Sequence, residues 1–305
     1  MWGKAGVNLF CLIMGYYGIY SKFKVKKVIQ LEAQVIFYSL FGLCTALIFK
    51  SRLNIGTIGV TFFPILFNQY WFITAYMMVY ILSPFLNKAL LELNVIQYRK
   101  FIAVLMLFWC IVPFFSLQES SGLFWNQFIW FVVMYIVGGY LRRNRKMFSE
   151  RIYCTVFLIS NMLMILSVVG MNWLAHYFPV FEGYTTYTRW SNCPLIICIC
   201  ISMMRLVECR DIRYNKWINY LAAGTLGIYL FHENVFIKDI LWNKLFNQSQ
   251  YIGSYAIIMH IVVAIILVYV LGSIIDMIRR YFFGKMETVF SYISNKIEKR
   301  VKSYD

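Results

Sequence analysis

Long apolar runs recur along the chain, separated by short polar breaks. Nine such runs can be drawn, at about 5–20, 33–49, 70–87, 101–117, 127–141, 153–175, 193–207, 218–236 and 253–275. A bilayer crossing takes about 20 apolar residues as helix, and several of these runs reach that length only with their aromatic flanks. No run shows the strict alternation of a half-buried strand. The pattern predicts an all-α polytopic membrane protein with about nine transmembrane helices over residues 1–275. A basic amphipathic tail follows over 276–305, where Met286, Val289, Phe290 and Ile293 share one helical face.

Composition supports the bilayer: 61% of the 305 residues are hydrophobic and only 14% charged, against about 25% charged in a soluble domain. The net charge of +16 raises nucleic acid as a partner, but its distribution argues otherwise. Counted on alternate sides of the nine spans, Lys and Arg number 23 on one side, in 21–32, 88–100, 142–152, 205–217 and 276–305. The other side carries six: Lys4, Lys50, Arg52, Arg189, Lys238 and Lys244. The positive-inside rule places the 23 in the cytoplasm, the C-terminus with them and the N-terminus outside. The charge orients the chain in the cell membrane, and nucleic-acid binding is not expected. Seven of the eight cysteines sit in apolar runs without metal-ligand spacing, which reads as helix packing rather than a metal site.

Every loop on the outer side is short, so any chemistry belongs among the helices or at the membrane surface. The cationic inner loops, "SKFKVKKVIQLE" and "RRNRKMFSER", have two readings: topology and contact with anionic headgroups, or a cradle for a phosphate-bearing ligand. Within the spans, Asn8, Asn87 and Asn161 read as interhelical hydrogen-bond partners. Arg205 lies near a boundary where it can snorkel.

"GTLGIYLFHENVFIKDILW", residues 224–242, sets His232, Glu233 and Asn234 side by side in an apolar run. As a continuous helix it puts 232, 236 and 239 on one face, bringing His232 and Asp239 together, with Tyr229 in reach of Glu233. Lys238 stands one turn before Trp242, a cation–π spacing. One reading is simply the outer end of a helix meeting water. The other is an imidazole beside a carboxylate, the usual means of moving a proton near neutral pH. His260, in "IIMHIVV", reads as a packed histidine, and His176 as a solvated loop residue.

Three stretches together resemble the acyltransferase-3 family of integral membrane enzymes: "GVNLFCLIMGYY", "QYWFITAYMMVYILSPFLNKAL" with Trp71, Phe72, Tyr76, Pro84 and Asn87, and "GIYLFHENVFIKDILW". The resemblance is to the branch that acetylates exported polysaccharides. It implies about ten helices, acetyl-CoA or another acyl-CoA as donor, a cell-surface or lipid-linked sugar as acceptor, and no metal. It also implies a histidine-bearing helix ahead of the Val7 segment, so the nine spans read as the family fold without its first helix. On this reading His232 and Glu233 are catalytic, and Asn234, Asp239, Trp71 and Tyr229 bind substrate. Lys22, Lys24, Lys26 and Lys27 stand at the family's basic pair and hold the coenzyme A phosphates. The alternatives are a non-enzymatic carrier or flippase for a lipid-linked glycan, and an inactive truncated member of the family.

Overall fold

Helix occupies every one of the nine apolar runs in a computed structural model, which describes residues 2–49, 55–115, 126–144, 148–184, 190–210 and 213–302. Lys50, Arg52, Arg145, Lys146 and Arg189 of the charge count lie outside the described residues. Among the described residues there is no strand, as the bilayer requires: in lipid each backbone N–H and C=O must find a partner within its own segment. Five helical stretches among the described residues are long and apolar enough to cross a membrane: Val25–Ile48, Trp71–Glu92, Val95–Phe115, Glu150–Tyr177 and Ala256–Lys285. The chain is an all-α polytopic membrane protein, folded as two units.

The first unit comprises residues 1–23 and 75–213. It holds α1 (Trp2–Gly18), then most of a helix that begins in the second unit and whose bounds are given with it. There follow α5 (Val95–Met106), α6 (Val112–Phe115), α7 (Gln127–Arg143), α8 (Glu150–Tyr177) and α9 (Pro194–Cys209). Helix starts are written locally. Asn94 and Gln97 form a reciprocal capping box at α5, and Asn126 Oδ1 accepts from Phe128 N at 2.9 Å at α7. Pro194 opens α9, where its missing N–H costs nothing. A π turn at Leu107–Ile111 leads into Pro113. Further along, Pro84 strips the Tyr80 carbonyl of its helical donor, and Ser83 Oγ donates to that carbonyl at 2.7 Å instead.

Close approach of α1 and α7 defines this unit's core. Gly15 lies against the Tyr135 backbone and Gly138 against the Leu12 carbonyl, where a Cβ would not fit. Polar hooks fix the register. Buried Asn8 donates to the Ser191 carbonyl at 2.6 Å and accepts from Trp130 Nε1 at 2.9 Å. Asn87 donates to the Gly18 carbonyl at 2.8 Å and accepts from the Tyr135 hydroxyl at 2.7 Å. Asn161 bonds only one turn back in its own helix, to the Phe157 carbonyl at 2.8 Å. Arg205 does not snorkel: it is 3% exposed, donates to the Leu141 and Asn144 carbonyls at 3.2 and 2.6 Å, and pairs with Glu208. Three nearby acceptors outweigh the gain from reaching water. His176 sits in the last turn of α8 rather than in a loop.

The second unit comprises residues 24–74 and 214–305. It contains α2 (Val25–Ile48), α3 (Ile55–Phe62), the start of α4 (Trp71–Glu92), α10 (Lys216–Ala222), α11 (Thr225–His232), α12 (Val235–Asp239), α13 (Ala256–Lys285) and α14 (Glu287–Lys302). Here α11 packs on α13 and on α2, with Gly272 admitting Ile228 to the surface of α13. Helix α13 runs on past residue 275, the predicted end of the membrane domain, to Lys285. Helix α14 then turns back onto α2. Phe290 of α14 is buried against Phe283 at 5.4 Å between centroids, while Met286, Val289 and Ile293 remain exposed.

Candidate functional site

The eighth apolar run is not one helix. Helix α11 ends at His232 with Glu233 as its C-cap, and the chain leaves the helical path at Asn234, which adopts an extended backbone (φ −59°, ψ 131°) and caps α12. The expectation that 232, 236 and 239 share a continuous face is therefore overturned. The reason is Asn234 itself, which is fully buried. Its Oδ1 accepts from Phe236 N at 3.0 Å, and its Nδ2 donates to the Tyr38 carbonyl at 3.0 Å and the Tyr70 hydroxyl at 2.8 Å. Gly42 on α2 makes room for that amide, since a Cβ there would meet it. Asn234 thus clasps α12 to α2, with its side-chain atoms engaged by protein.

The break leaves His232 in the last turn of α11, half-buried between rings. Tyr229 lies edge-on at 5.9 Å between centroids and Trp242 at 6.4 Å. Nδ1 of His232 lies 2.8 Å from the Ile228 carbonyl, which can only accept, so Nδ1 carries the proton. In the neutral ring Nε2 then keeps its lone pair. Nε2 is 3.9 Å from Glu233 Oε1, and Glu233 Oε2 accepts from Lys238 Nζ at 2.7 Å. Lys238 is thus committed to Glu233, where the sequence spacing offered a cation–π partner in Trp242.

Tyr229 and Trp71 join the same wall: the Tyr229 ring meets Phe72 at 5.4 Å, and Phe72 meets Trp71 at 6.1 Å. The Tyr229 hydroxyl is buried close to the Phe72 backbone. The ring series continues beyond Trp242 through Phe246 to His260, which stacks on Tyr251 at 4.2 Å. Asp239 is turned to other work, accepting from Asn243 Nδ2 at 2.8 Å on the exposed side of its turn. The structure therefore sets His232 beside Glu233 and Tyr229, with Trp71 linked to Tyr229 through Phe72, places Asn234 behind them, and leaves Asp239 apart.

A second cluster lies toward the other end of α2. Fifteen residues separate Lys27 from Gly42, about 22 Å of helix. Lys22 and Lys24 are exposed in the non-helical stretch ahead of α2, and Lys24 is its N-cap. Lys26 is ion-paired with Glu287. Lys27 lines a cavity of about 470 Å³ with Gln30, Gln34, Arg279, Arg280 and Glu287.

Sequence reasoning passed over Arg279 and Arg280. Both are anchored through Nε to Asp276, at 2.7 and 2.9 Å, and Asp276 is wholly buried and also accepts from the Tyr38 hydroxyl at 3.0 Å. The available signal was the spacing in "DMIRR": an acid followed at i+3 and i+4 by arginines, one helical turn on. It fell just beyond the expected end of the last span.

Residues 1–277 match the family model of the acyltransferase-3 family, described as an acyltransferase domain. No curated protein matches the chain, and no solved structure does.

Proposed function

The chain belongs to the acyltransferase-3 family, and from that premise we propose that it is a membrane O-acyltransferase. It moves an acyl group, acetyl in the simplest case, from acyl-CoA to a hydroxyl of a cell-surface or lipid-linked sugar. The observation that carries this reading is the state of His232: Nδ1 held by the Ile228 carbonyl, Nε2 bare, and a carboxylate 3.9 Å from it.

Nε2 of His232 takes the proton from the acceptor hydroxyl as that oxygen attacks the thioester carbonyl. The tetrahedral intermediate collapses with cleavage of the C–S bond. The imidazolium returns its proton to the departing thiolate, giving the sugar ester and free coenzyme A. Glu233 stabilises the imidazolium and Lys238 holds Glu233 in place. Tyr229, Trp71 and Trp242 offer the flat apolar surfaces on which a sugar ring packs. Asn234 keeps the break that brings Lys238 to Glu233. Asp239 has its carboxylate turned toward Asn243, and supports the turn rather than the sugar.

The donor's phosphates belong at the basic end, with Lys22, Lys24, Lys26 and Lys27, which puts that end in the cytoplasm. The acyl group must then travel about 22 Å along α2 to reach His232, a span suited to the long flexible arm that carries the thioester.

The test is acyl-CoA consumption by the purified protein in lipid, with and without glycan, for wild type, His232→Ala and His232→Gln. Loss of a general base lowers turnover by about 10²–10⁴-fold, with acyl-CoA binding retained. Unchanged turnover in both variants removes His232 from the mechanism. Glycan binding with no dependence on acyl-CoA would favour a carrier.

A further inference from the structure

The cavity at the basic end contains an anion of the protein's own. Glu287, the first residue of α14, lines it, pairs with Lys26 and accepts from Gln30 Nε2 at 2.9 Å. Around it stand Lys27, Arg279 and Arg280. Four cations (Lys26, Lys27, Arg279, Arg280) face two carboxylates (Glu287, Asp276), so two positive charges stay uncompensated within the cluster. Such an excess is stable beside water and matches a doubly charged phosphate group.

Both guanidiniums are set before any ligand arrives. Arg279 donates its Nε to the buried Asp276, Arg280 is ion-paired with the same carboxylate, and each lies over a ring, Arg279 over Phe283 and Arg280 over Tyr220, both at 5.1 Å. With its Nε occupied, Arg279 keeps its terminal nitrogens for an anion. A volume of about 470 Å³ exceeds what one phosphate needs and leaves space for the group that bears it.

We propose that this cavity is a phosphate-binding site in which Glu287 serves as an internal counter-ion that an incoming phosphate displaces. Docking of α14 on α2 and occupation of the cavity are then alternatives, and the C-terminal helix regulates access to the basic end. The assignment deepens the donor site proposed above and rests on that reading only for the identity of the soluble ligand. The same phosphate chemistry is carried by an anionic lipid headgroup.

The experiment is calorimetric titration of inorganic pyrophosphate into the full-length protein in phosphatidylcholine nanodiscs, for wild type, Lys27→Gln, Arg280→Gln and Glu287→Gln. Hydrogen bonds to charged groups contribute about 1.5–3 kcal/mol. Lys27→Gln and Arg280→Gln should each weaken binding by roughly 10-fold or more, and Glu287→Gln should tighten it. Lys27 is exposed on α2 and its variant tests the site even if Arg280→Gln destabilises the fold.

A repeat in discs containing phosphatidylglycerol separates the sources. Competition that vanishes in Arg280→Gln identifies a headgroup phosphate, and no competition identifies a soluble one. Either supports the site. Titrations unaltered by Lys27→Gln and Arg280→Gln, or weakened by Glu287→Gln, would overturn it. The heat of binding does not depend on acyl transfer, so transfer without pyrophosphate binding defeats only this inference. Binding without transfer defeats only the enzymatic reading.

Discussion

Replacing Asn234 with Ala tests whether the break before α12 is a structural clasp or a sugar contact. The side chain is fully buried and makes three hydrogen bonds, to Phe236 N, the Tyr38 carbonyl and the Tyr70 hydroxyl. Loss of a cap costs about 1 kcal/mol, and each buried polar group left without its partner costs about 1–3 kcal/mol. Tyr38 keeps its place in α2 and the Tyr70 hydroxyl keeps Ser39 beside it, so the penalties fall on the Phe236 N–H, whose loss is the lost cap, and in part on Tyr70. The sum is about 2–4 kcal/mol, equivalent to a drop in thermal midpoint of roughly 5–10 °C in a chain of this length. Asn234→Asp keeps the capping oxygen but turns a second oxygen toward the Tyr38 carbonyl, and should be no better. The assay is the unfolding midpoint in detergent beside kcat and KM of the surviving protein. A fall in stability with KM for the sugar unchanged supports the clasp. A midpoint within about 2 °C of wild type, with KM for the sugar raised, would refute it.

Two further substitutions test the first unit. Gly138→Ala drives a Cβ into the Leu12 carbonyl at the α1–α7 crossing, and should sharply lower the yield of folded protein. Gly170→Ala, in open space on α8, should be neutral or stabilising by up to about 1 kcal/mol; fluorescence-detected size exclusion of the two distinguishes them. Arg205→Met leaves Glu208 and two carbonyls without their buried cation and should destabilise by about 3–5 kcal/mol. Arg205→Lys, a point charge in place of a fork, should recover part of that in the same thermal assay.

The helical character and the position of all nine runs were legible because lipid leaves the backbone only one local solution, and a 20-residue apolar run announces it. The hydrogen-bonding roles of Asn8 and Asn87 followed from the same scarcity: a lone amide in such a run needs a partner on another helix. What stayed hidden was set by tertiary packing. The break at Asn234 depends on Gly42, almost two hundred residues away in sequence, and on Tyr70. The one local signal is Asn234 itself, a residue type that caps helices; Phe231, Glu233 and Val235 carry no helix stop as Gly or Pro would. Arg205 was misjudged for the reverse reason: near a boundary, whether a long cation reaches water or turns inward depends on which carbonyls lie beside it.

That break also decides which cation reaches Glu233. Were the helix to continue through 234, the Nδ1 bond from His232 back to Ile228 could form equally well, because it lies within a turn. Glu233 would keep its place as well, because its N–H still donates to the Tyr229 carbonyl at 3.0 Å and its backbone is still helical. What the break changes is the next helix: residues five apart stand about 140° apart on a continuous helix, whereas here Lys238 Nζ donates to Glu233 Oε2 at 2.7 Å while Oε1 lies 3.9 Å from His232 Nε2. Lys238 is thus positioned by the interruption, and the interruption by Asn234. His232, Glu233 and Asn234 are therefore not three independent contacts with a substrate. They act in series: Asn234 breaks the helix, the break brings Lys238 to Glu233, and His232 Nε2 faces that carboxylate.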